Sequence, residues 1–455
     1  MKRKGKGKWV LGRLALLCSL LYLLLPAAAQ EGQKVHHFTA REAVEFARKN
    51  NFQVKKALED IRVQQQVNRE VTASALPQLN GSFNFTDNIK VPVSLVPGEF
   101  FGQPAGTYIP VQFGVQYSAT LGASLEQILF DGQVFVGLQA REAALDYSRK
   151  SAEITEESIA VNIYKVYYQL LIAKMQIELY HDNIVRYEKL YHDTRVIYDN
   201  GFAEKLDVDR VNVTLTNLRT DSIKLQTQLN NGFLGLKVLL GIPVTDSLVQ
   251  TEELTEEMVK RDILDTAYQY ADRREFQILE IGKKLNDYNV KRYKYTYLPT
   301  LSAFGNYYTN AQRNEFDFFK SGGDWFQQSA IGLRINVPIF DGFRRAAQVQ
   351  QAKSAVRKIE YDMEQMKLNI DNEVASSRNR FRDAVLAVDA QRQNMQLAET
   401  VYDQTKKKYE QGLGSNTEIN NAQTDLRTAQ TNFFSSLYDA TVAKIDYLKS
   451  IGKIF

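Results

Sequence analysis

The chain has few cysteines and histidines, the residues that form disulfides and bind transition metals. It contains one cysteine and four histidines in 455 residues. Cys18 lies in an apolar N-terminal run, so the mature protein is predicted to have neither disulfides nor a cysteine-bound metal. His36 and His37 are adjacent, whereas His181 and His192 lie about 16 Å apart on a helix rising ~1.5 Å per residue, too far to share an ion. We therefore expect no metal site.

Sequence signatures of common enzymes are also missing. No glycine-rich phosphate loop follows a predicted strand, and neither a nucleophile elbow nor a His-Glu-x-x-His sequence occurs. The stretch NNGFLGLKVLLG at 230–241 fits small residues at a helix interface better than a binding loop. The sequence predicts no enzymatic activity and no cofactor.

The positive formal charge comes from the N-terminus. The chain has a net charge of +4, but its first 29 residues hold six Lys or Arg residues and no acid, which leaves the rest near −2. No stripe of Lys and Arg is interleaved with aromatic residues. We therefore expect no nucleic-acid partner.

The N-terminal segment has the pattern of a secretory signal. A basic start is followed by the apolar run Leu14–Leu25 and by small residues at Ala27 and Ala29, which predicts a cleaved signal peptide over 1–29. An N-terminal membrane anchor is the alternative, but the run is short for a membrane span. The leucines before Cys18 are a poor context for lipid attachment.

The chain contains an internal repeat. The sequence Phe-Asp-Gly occurs at 130–132 and again at 340–342, each time between a strand-like run and a helical run. YDNGF at 198–202 matches YEQGL at 409–413, with an offset of 211 residues. The sequence therefore predicts two copies of one unit of roughly 200 residues.

Helical and strand-like segments alternate within each copy. Thr39 and Glu42 form a capping-box pattern at the start of a helix predicted to reach about residue 76. Apolar and polar residues then alternate, without interruption over 111–126 and in shorter stretches over 79–85, 301–307 and 331–337. Such alternation is typical of membrane β-strands. A soluble β-sandwich with one solvent-exposed face would explain a single alternating stretch but not the long helices that follow.

Each Phe-Asp-Gly sequence precedes a helix of about 69 residues with a coiled-coil period. Apolar residues recur at steps of four and three from Ile159 to Tyr198, and the pattern returns 211 residues later from Ile370 to Tyr409. Gly201 and Gly412 end these helices, and a return helix follows each. The same steps occur in the return helices at Val208, Val211, Leu215 and Leu218, and at Ile419, Ala422, Leu426 and Ala429.

The Phe-Asp-Gly sequences are predicted to be strand-to-helix turns. Asp131 and Asp341 can cap the first turn of the helix, and Gly132 and Gly342 permit the tight change of direction. Four strands cannot close a barrel, which needs at least about eight, and open strand edges are not tolerated in lipid. Strands in a membrane therefore require an oligomer, and an exported chain of this kind is expected in an outer membrane.

In the order and spacing of these features the sequence resembles the TolC-like outer membrane efflux protein family over essentially the whole mature chain. The resemblance implies an α+β membrane protein of two tandem structural repeats. Its four β-strands per chain contribute to a trimeric 12-stranded β-barrel, which continues as a long periplasmic α-helical coiled-coil barrel. The implied function is the exit duct of a tripartite efflux or type I secretion system, in contact with outer-membrane lipid, a periplasmic adaptor and an inner-membrane transporter. The alternative is a secreted periplasmic coiled-coil scaffold without a pore.

The predicted organisation runs along the whole chain. The expected segments are a signal peptide over 1–29, a first repeat over 30–241, an inter-repeat connector over 242–258 and a second repeat over 259–455. Within the repeats we expect strands over about 78–91, 111–129, 300–309 and 329–339, long helices over about 130–198 and 340–410, and return helices over about 203–241 and 415–452.

The resemblance also implies a periplasmic aperture near the second glycine turn. The implied gate residues are Glu418 and Asn421 at the two positions of an acidic ring, with Tyr409 tethered to Asp207. Gly414 stands where the family pattern has a basic residue, and Asn421 is not acidic, so a weaker ring is expected. Alternatively, Glu418 and Asp207 are first-turn acids favoured by the helix dipole. The implied adaptor-docking tips are Gly201 with Phe202 and Gly412 with Leu413.

Overall fold

The computed structural model describes residues 34–260, 267–320 and 322–454. The predicted signal peptide and Cys18 lie outside these residues. The α-helices are α1 (Ala40–Asn50), α2 (Phe52–Ala73), α3 (Gly132–Asp199), α4 (Lys205–Leu240), α5 (Glu256–Lys260), α6 (Arg274–Tyr295), α7 (Arg344–Glu410) and α8 (Asn416–Ser450). The β-strands are β1 (Val35–Phe38), β2 (Gln78–Asp87), β3 (Val93–Pro97), β4 (Tyr108–Gln112), β5 (Tyr117–Phe130), β6 (Ser247–Gln250), β7 (Thr300–Arg313) and β8 (Phe326–Asn336).

The chain divides into two compact units. Among the described residues, the first comprises 34–51, 162–260 and 386–441, and the second comprises 52–161, 267–320, 322–385 and 442–454. Each unit takes segments from both sequence repeats. The duplication therefore does not correspond to two separate domains.

The second unit contains a four-stranded antiparallel sheet. Its strand order is β2-β5-β7-β8, so the two central strands come from different repeats. The register aligns Phe83 with Leu121, and Leu121 with Thr309. Odd-numbered positions are mainly apolar, and residues of equal parity meet across the three pairings except at the bulge where Phe130 meets Leu301. One face of the sheet is therefore mainly apolar and the other mainly polar. Leu79 on the apolar face is 72% exposed and Ile331 is 93% exposed, so this face is uncovered in a single chain.

The alternating stretch over 111–126 is not one strand, and the prediction of a strand over 111–129 is corrected. The structure divides the stretch between β4, which pairs with β3 in a separate hairpin, and β5 in the main sheet. The break contains Gly114, whose φ of 121° lies outside the extended region. The alternation of apolar and polar residues could not locate this break, because the apolar residues stay at odd-numbered positions on both sides of it.

The predicted first helix is interrupted in the structure. Asn51 separates α1 from α2, and its side-chain amide donates to the carbonyl of Leu239 at 2.7 Å. The capping box between Thr39 and Glu42 is present, with the Thr39 backbone N–H donating to Glu42 at 2.8 Å. The helix ends at Ala73, three residues before the leucine that precedes proline.

A short parallel pairing in the first unit joins distant parts of the chain. β1 pairs with β6, so the predicted connector over 242–258 contains a strand, and the first residues of the described chain are held in place. The hydroxyl of Tyr167 donates to the carbonyl of Phe38 at 2.8 Å, and this buried ring fixes the end of β1 to α3. Each strand has only four residues, too few for a periodic signal.

The two strand-to-helix turns use their aspartates in the same way and their glycines differently. Asp131 accepts from the backbone N–H of Gln133 at 2.8 Å, and Asp341 accepts from that of Arg345 at 3.0 Å. Gly342 has a φ of 64°, which favours glycine. At Gly132 the requirement is space, since an added Cβ would lie 2.7 Å from a side-chain atom of Tyr295.

None of the helices in the described part of the chain combines the length and apolarity needed to cross a membrane. Among the same residues, no group of His, Cys, Asp and Glu side chains is arranged to hold a metal ion.

Candidate functional site

The turn between α3 and α4, residues 200–204, is called the first tip here. Gly201 has a φ of 81°, its N–H donates to the carbonyl of Tyr198 at 2.8 Å, and the N–H of Phe202 donates to that of Ile197 at 3.0 Å. This Schellman arrangement satisfies carbonyls that the helix end would leave open. The ring of Phe202 is 86% exposed, so the first tip presents an apolar side chain to solvent.

The turn between α7 and α8, residues 411–415, is the second tip and repeats this geometry. Gly412 has a φ of 74° and donates to the carbonyl of Tyr409 at 3.0 Å, while Leu413 donates to that of Lys408 at 2.9 Å. Leu413 is 74% exposed. The two repeats therefore build the same turn with the same kind of exposed residue.

Two acids occupy the same helical position after the tips. The carboxylate of Asp207 accepts from the backbone N–H of Glu204 at 3.4 Å, and the backbone N–H of Glu418 donates to the hydroxyl of Ser415 at 3.2 Å. Both acids lie in the first turn of a return helix, where the dipole favours negative charge. Their positions are therefore consistent with helix capping as well as with an aperture ring.

Tyr409 is bonded to a different partner from the one the resemblance implied. Its hydroxyl lies 3.1 Å from the hydroxyl of Thr194, a side chain with 0% exposure. The tether to Asp207 is not formed within this chain, because Asp207 is held at its own helix start by Glu204. The bond that the structure has instead joins α7 to α3.

Lys408, which precedes the second tip, supplies a positive charge at this turn. The family pattern has its basic residue after the glycine, at position 414. Lys408 Nζ lies 3.5 Å from Glu418 Oε2, and both side chains are more than half exposed. A side chain at position 414 would be crowded, since a Cβ on Gly414 would lie 3.1 Å from the backbone nitrogen of Tyr409. Sequence reasoning missed Lys408 because the pairing depends on how the turn folds back.

The packing beneath the tips uses the predicted coiled-coil positions. Tyr187 packs with Val211, Leu215 and Leu218, and the matching cluster of the other repeat contains Tyr402, Ile419, Ala422 and Leu426. Leu190 contacts both clusters, so α3 packs on both return helices. Burial raises the pKa of both the Tyr187 and the Tyr402 phenols above the ordinary value of 10.0, because a phenolate would be poorly solvated there.

A buried amide cluster joins α3 to α8 within the same unit. Asn183 donates to Gln430 at 3.2 Å and accepts from Gln423 at 3.1 Å. Asn183 and Gln423 are each 1% exposed. Polar residues of this kind fix the register of packed helices, because a shifted register would leave their amides without partners. Nothing in the sequence alone indicated that these three residues meet.

Asn421, the second implied ring position, lines a groove between the first turns of α4 and α8. The facing helix contributes Asp209 and Arg210 to the same groove. The surroundings of Asn421 therefore include charges of both signs.

A family model covers most of the chain. Residues 43–242 and 271–453 match the model described as outer membrane efflux protein. The chain belongs to the outer membrane efflux protein family. In this efflux protein, the matched residues include both tips and the four strands of the main sheet.

Individual relatives of the efflux protein are distant. It is 21% identical over 344 residues to the alkaline protease secretion protein AprF of Pseudomonas aeruginosa, which covers 74% of this chain and 68% of AprF. It is 23% identical over 443 residues to the outer membrane efflux protein BepC of Brucella suis biovar 1, covering 95% of this chain and 89% of BepC. Among solved structures, the transmembrane channel CusC matches with a TM-score of 0.73 and 16% identity over 91% of this chain and 92% of CusC, which shows the same fold.

Proposed function

We propose that this outer membrane efflux protein is the outer-membrane exit duct of a tripartite efflux or type I secretion system. Three copies close a 12-stranded β-barrel in the outer membrane, and the long helices form a coiled-coil tunnel in the periplasm. Substrates enter from an inner-membrane transporter through a periplasmic adaptor. AprF is named for protease secretion and BepC for efflux, so both cargo classes remain within this proposal.

The observation that carries the proposal is the open four-stranded sheet. β2 and β8 are its edge strands, and an exposed apolar face runs between them. Unpaired backbone groups in lipid cost several kcal/mol each, so the sheet requires partners on both edges. Pairing β8 of one chain with β2 of the next closes the barrel with four strands from each of three copies.

Engineered cysteines test this closure directly, because the only native cysteine, Cys18, lies in the predicted signal peptide. A panel pairing Ser82→Cys on β2 with cysteines at alternate polar positions of β8 should give oxidised trimers in native outer membranes. Ser124→Cys with Asn306→Cys is the matched control, since these residues are partners within one chain and should link only internally. A folded, membrane-extracted protein that remains monomeric and forms no interchain link would favour the pore-free scaffold.

The tips are the proposed docking surface for the adaptor. Phe202 and Leu413 are exposed apolar residues on hydrogen-bonded turns, and such residues commonly anchor protein interfaces. Photo-crosslinkers at these two positions should capture the adaptor, whereas one at Leu397, which is 63% exposed on α7, serves as the control. Valine at both Gly201 and Gly412 should impair docking and export, because a β-branched residue opposes a positive φ. Unchanged docking and export in that double variant would contradict the assignment.

A further inference from the structure

The polar face of the main sheet has only two charged side chains. Among the residues of β2, β5, β7 and β8 that share this face, they are Glu126 and Arg334, and the remaining positions are neutral. Asp87 and Arg313, the other charged residues of these strands, have the opposite parity. Charge on this face is thus confined to one layer.

The two charges meet across an aromatic ring. Glu126 is the cross-strand partner of Phe304, and Phe304 is the partner of Gly332 on the next strand. The guanidinium of Arg334 lies 5.1 Å from the centre of the Phe304 ring, and its Nη1 is 3.9 Å from Glu126 Oε1. The guanidinium therefore spans the strand between them, stacked on the ring.

Gly332 provides the space that this arrangement needs. A Cβ at that position would lie 2.8 Å from Phe304 Cζ, so the ring covers the glycine and lies along the sheet. On the opposite face, a Cβ at Gly305 would meet only Ile331, at an ordinary 3.7 Å. Phe304 thus acts as a positioning residue that keeps the guanidinium against the wall and beside Glu126.

We infer that Glu126, Phe304 and Arg334 form a balanced charge band that keeps the barrel bore unselective between anions and cations. The inference rests on the proposed function, in which the polar face lines a water-filled bore. Three copies would place three such pairs at one level of the barrel. Because each carboxylate is offset by a guanidinium, passing solutes of either sign meet little net potential. Loss of one partner would leave three like charges around the bore.

Thiol-reactive probes of opposite charge measure the electrostatic potential at a chosen level of the barrel. Unlike a conductance measurement, this does not depend on the ion preference of the α-helical tunnel. Ser124→Cys lies two residues from Glu126 on the same face, and Ser118→Cys lies on that face about 26 Å away at ~3.3 Å per residue. The readout is the ratio of reaction rates for a cationic and an anionic methanethiosulfonate reagent in native outer membranes. At an ionic strength of about 0.1 M the Debye length is about 10 Å, so only the near reporter should sense the band.

Opposite variants should shift the near reporter in opposite directions. Arg334→Gln should raise the cation-to-anion rate ratio about threefold, and Glu126→Gln should lower it by a similar factor. Glu126→Gln with Arg334→Gln should restore the starting ratio. Phe304→Leu and Gly332→Ala should raise the ratio by less than Arg334→Gln does, because they free the guanidinium without removing it, whereas Gly305→Ala should leave it unchanged.

The outcomes separate the inference from the function on which it rests. If both reporters react but the single variants leave the near ratio unchanged, the charge band is refuted while the water-filled bore stands. If neither reporter reacts in correctly folded protein, the polar face does not line a bore, and the proposed function fails. Equal shifts at the near and far reporters would also overturn the inference, because a global change in charge or assembly would then be the cause.

Discussion

The hydroxyls of Tyr409 and Thr194 lie 3.1 Å apart and join the end of one long helix to the other long helix of the same chain. Thr194 is fully buried and Tyr409 is partly exposed, so the bond is partly shielded from water although it lies close to the second tip. The Tyr409–Asp207 tether between neighbouring chains stays a prediction. A neutral hydrogen bond of this kind contributes about 0.5–1.5 kcal/mol, weak enough for a docked partner to break.

Removing this bond should loosen the aperture. Tyr409→Phe and Thr194→Val should each raise the closed-state conductance in planar bilayers, and the double variant should add little to either because both remove one bond. Thr405→Val is the matched control, since Thr405 donates only to the carbonyl of Val401 in its own helix at 2.8 Å. A larger effect from Asp207→Asn than from Thr194→Val would instead favour a tether to Asp207 between neighbouring chains.

Glu418 and Lys408 should have opposite effects on the ion preference of the aperture. Their side chains are 3.5 Å apart and exposed, so breaking the pair should cost well under about 1 kcal/mol of stability. Glu418→Gln should lower the cation preference measured from reversal potentials, and Lys408→Gln should raise it. Glu410→Gln changes an exposed acid at the end of the same long helix as Lys408 and provides the control. Equal ion preference in all three variants would exclude Glu418 from the aperture.

The regular parts of the fold were predictable because their signal repeats many times. The return-helix positions Val208, Val211, Leu215 and Leu218 are all buried, as a coiled-coil period over long helices requires. The pairing of β1 with β6 could not be predicted, because it depends on contacts between four-residue segments more than 200 residues apart. At the two tips, only the glycine turns and the first-turn acids were predictable from the sequence. Which side chain Tyr409 meets depends on the rotation of two helices about their axes, and a single sequence does not specify that rotation.

The buried amide cluster should make a measurable contribution to stability. Asn183→Ala removes the partner of both Gln423 and Gln430, and each buried amide left unpaired costs about 1–3 kcal/mol. The variant should therefore dissociate and unfold at a lower temperature in detergent. Gln226→Ala is the control, because Gln226 lies on an exposed face and bonds only to Asn230 of its own helix. Replacing all three cluster residues with leucine should recover much of the loss, since the amides are then removed together.

Two ion pairs of the buried Arg273 side chain with partly exposed glutamates of the second unit predict how stability depends on pH. Arg273 is 4% exposed in its side chain and lies 3.2 Å from Glu275, and it also pairs with Glu373 at 3.0 Å. Burial opposes ionisation of Glu275, but the ion pair with Arg273 outweighs it and lowers the pKa of that carboxyl below its usual value of 4.5. Its contribution to stability is therefore fully present above that value and is lost as the pH falls through the lower pKa of the folded state.

Glu275→Gln tests this dependence. At pH 7 the variant should be less stable than the wild type by about 1–2 kcal/mol, because a charge-assisted bond to a buried guanidinium is replaced by a neutral one. The difference should narrow as the pH falls below 4.5 and the wild-type carboxyl is protonated. The midpoints of unfolding by guanidinium chloride, measured from pH 7 to pH 3, would show this convergence. Glu280 lies on the exposed face of the same helix, and the unfolding midpoint of Glu280→Gln should change with pH in parallel with that of the wild type. A constant gap between wild type and Glu275→Gln across the range would mean that packing, and not the charge of Glu275, accounts for the loss.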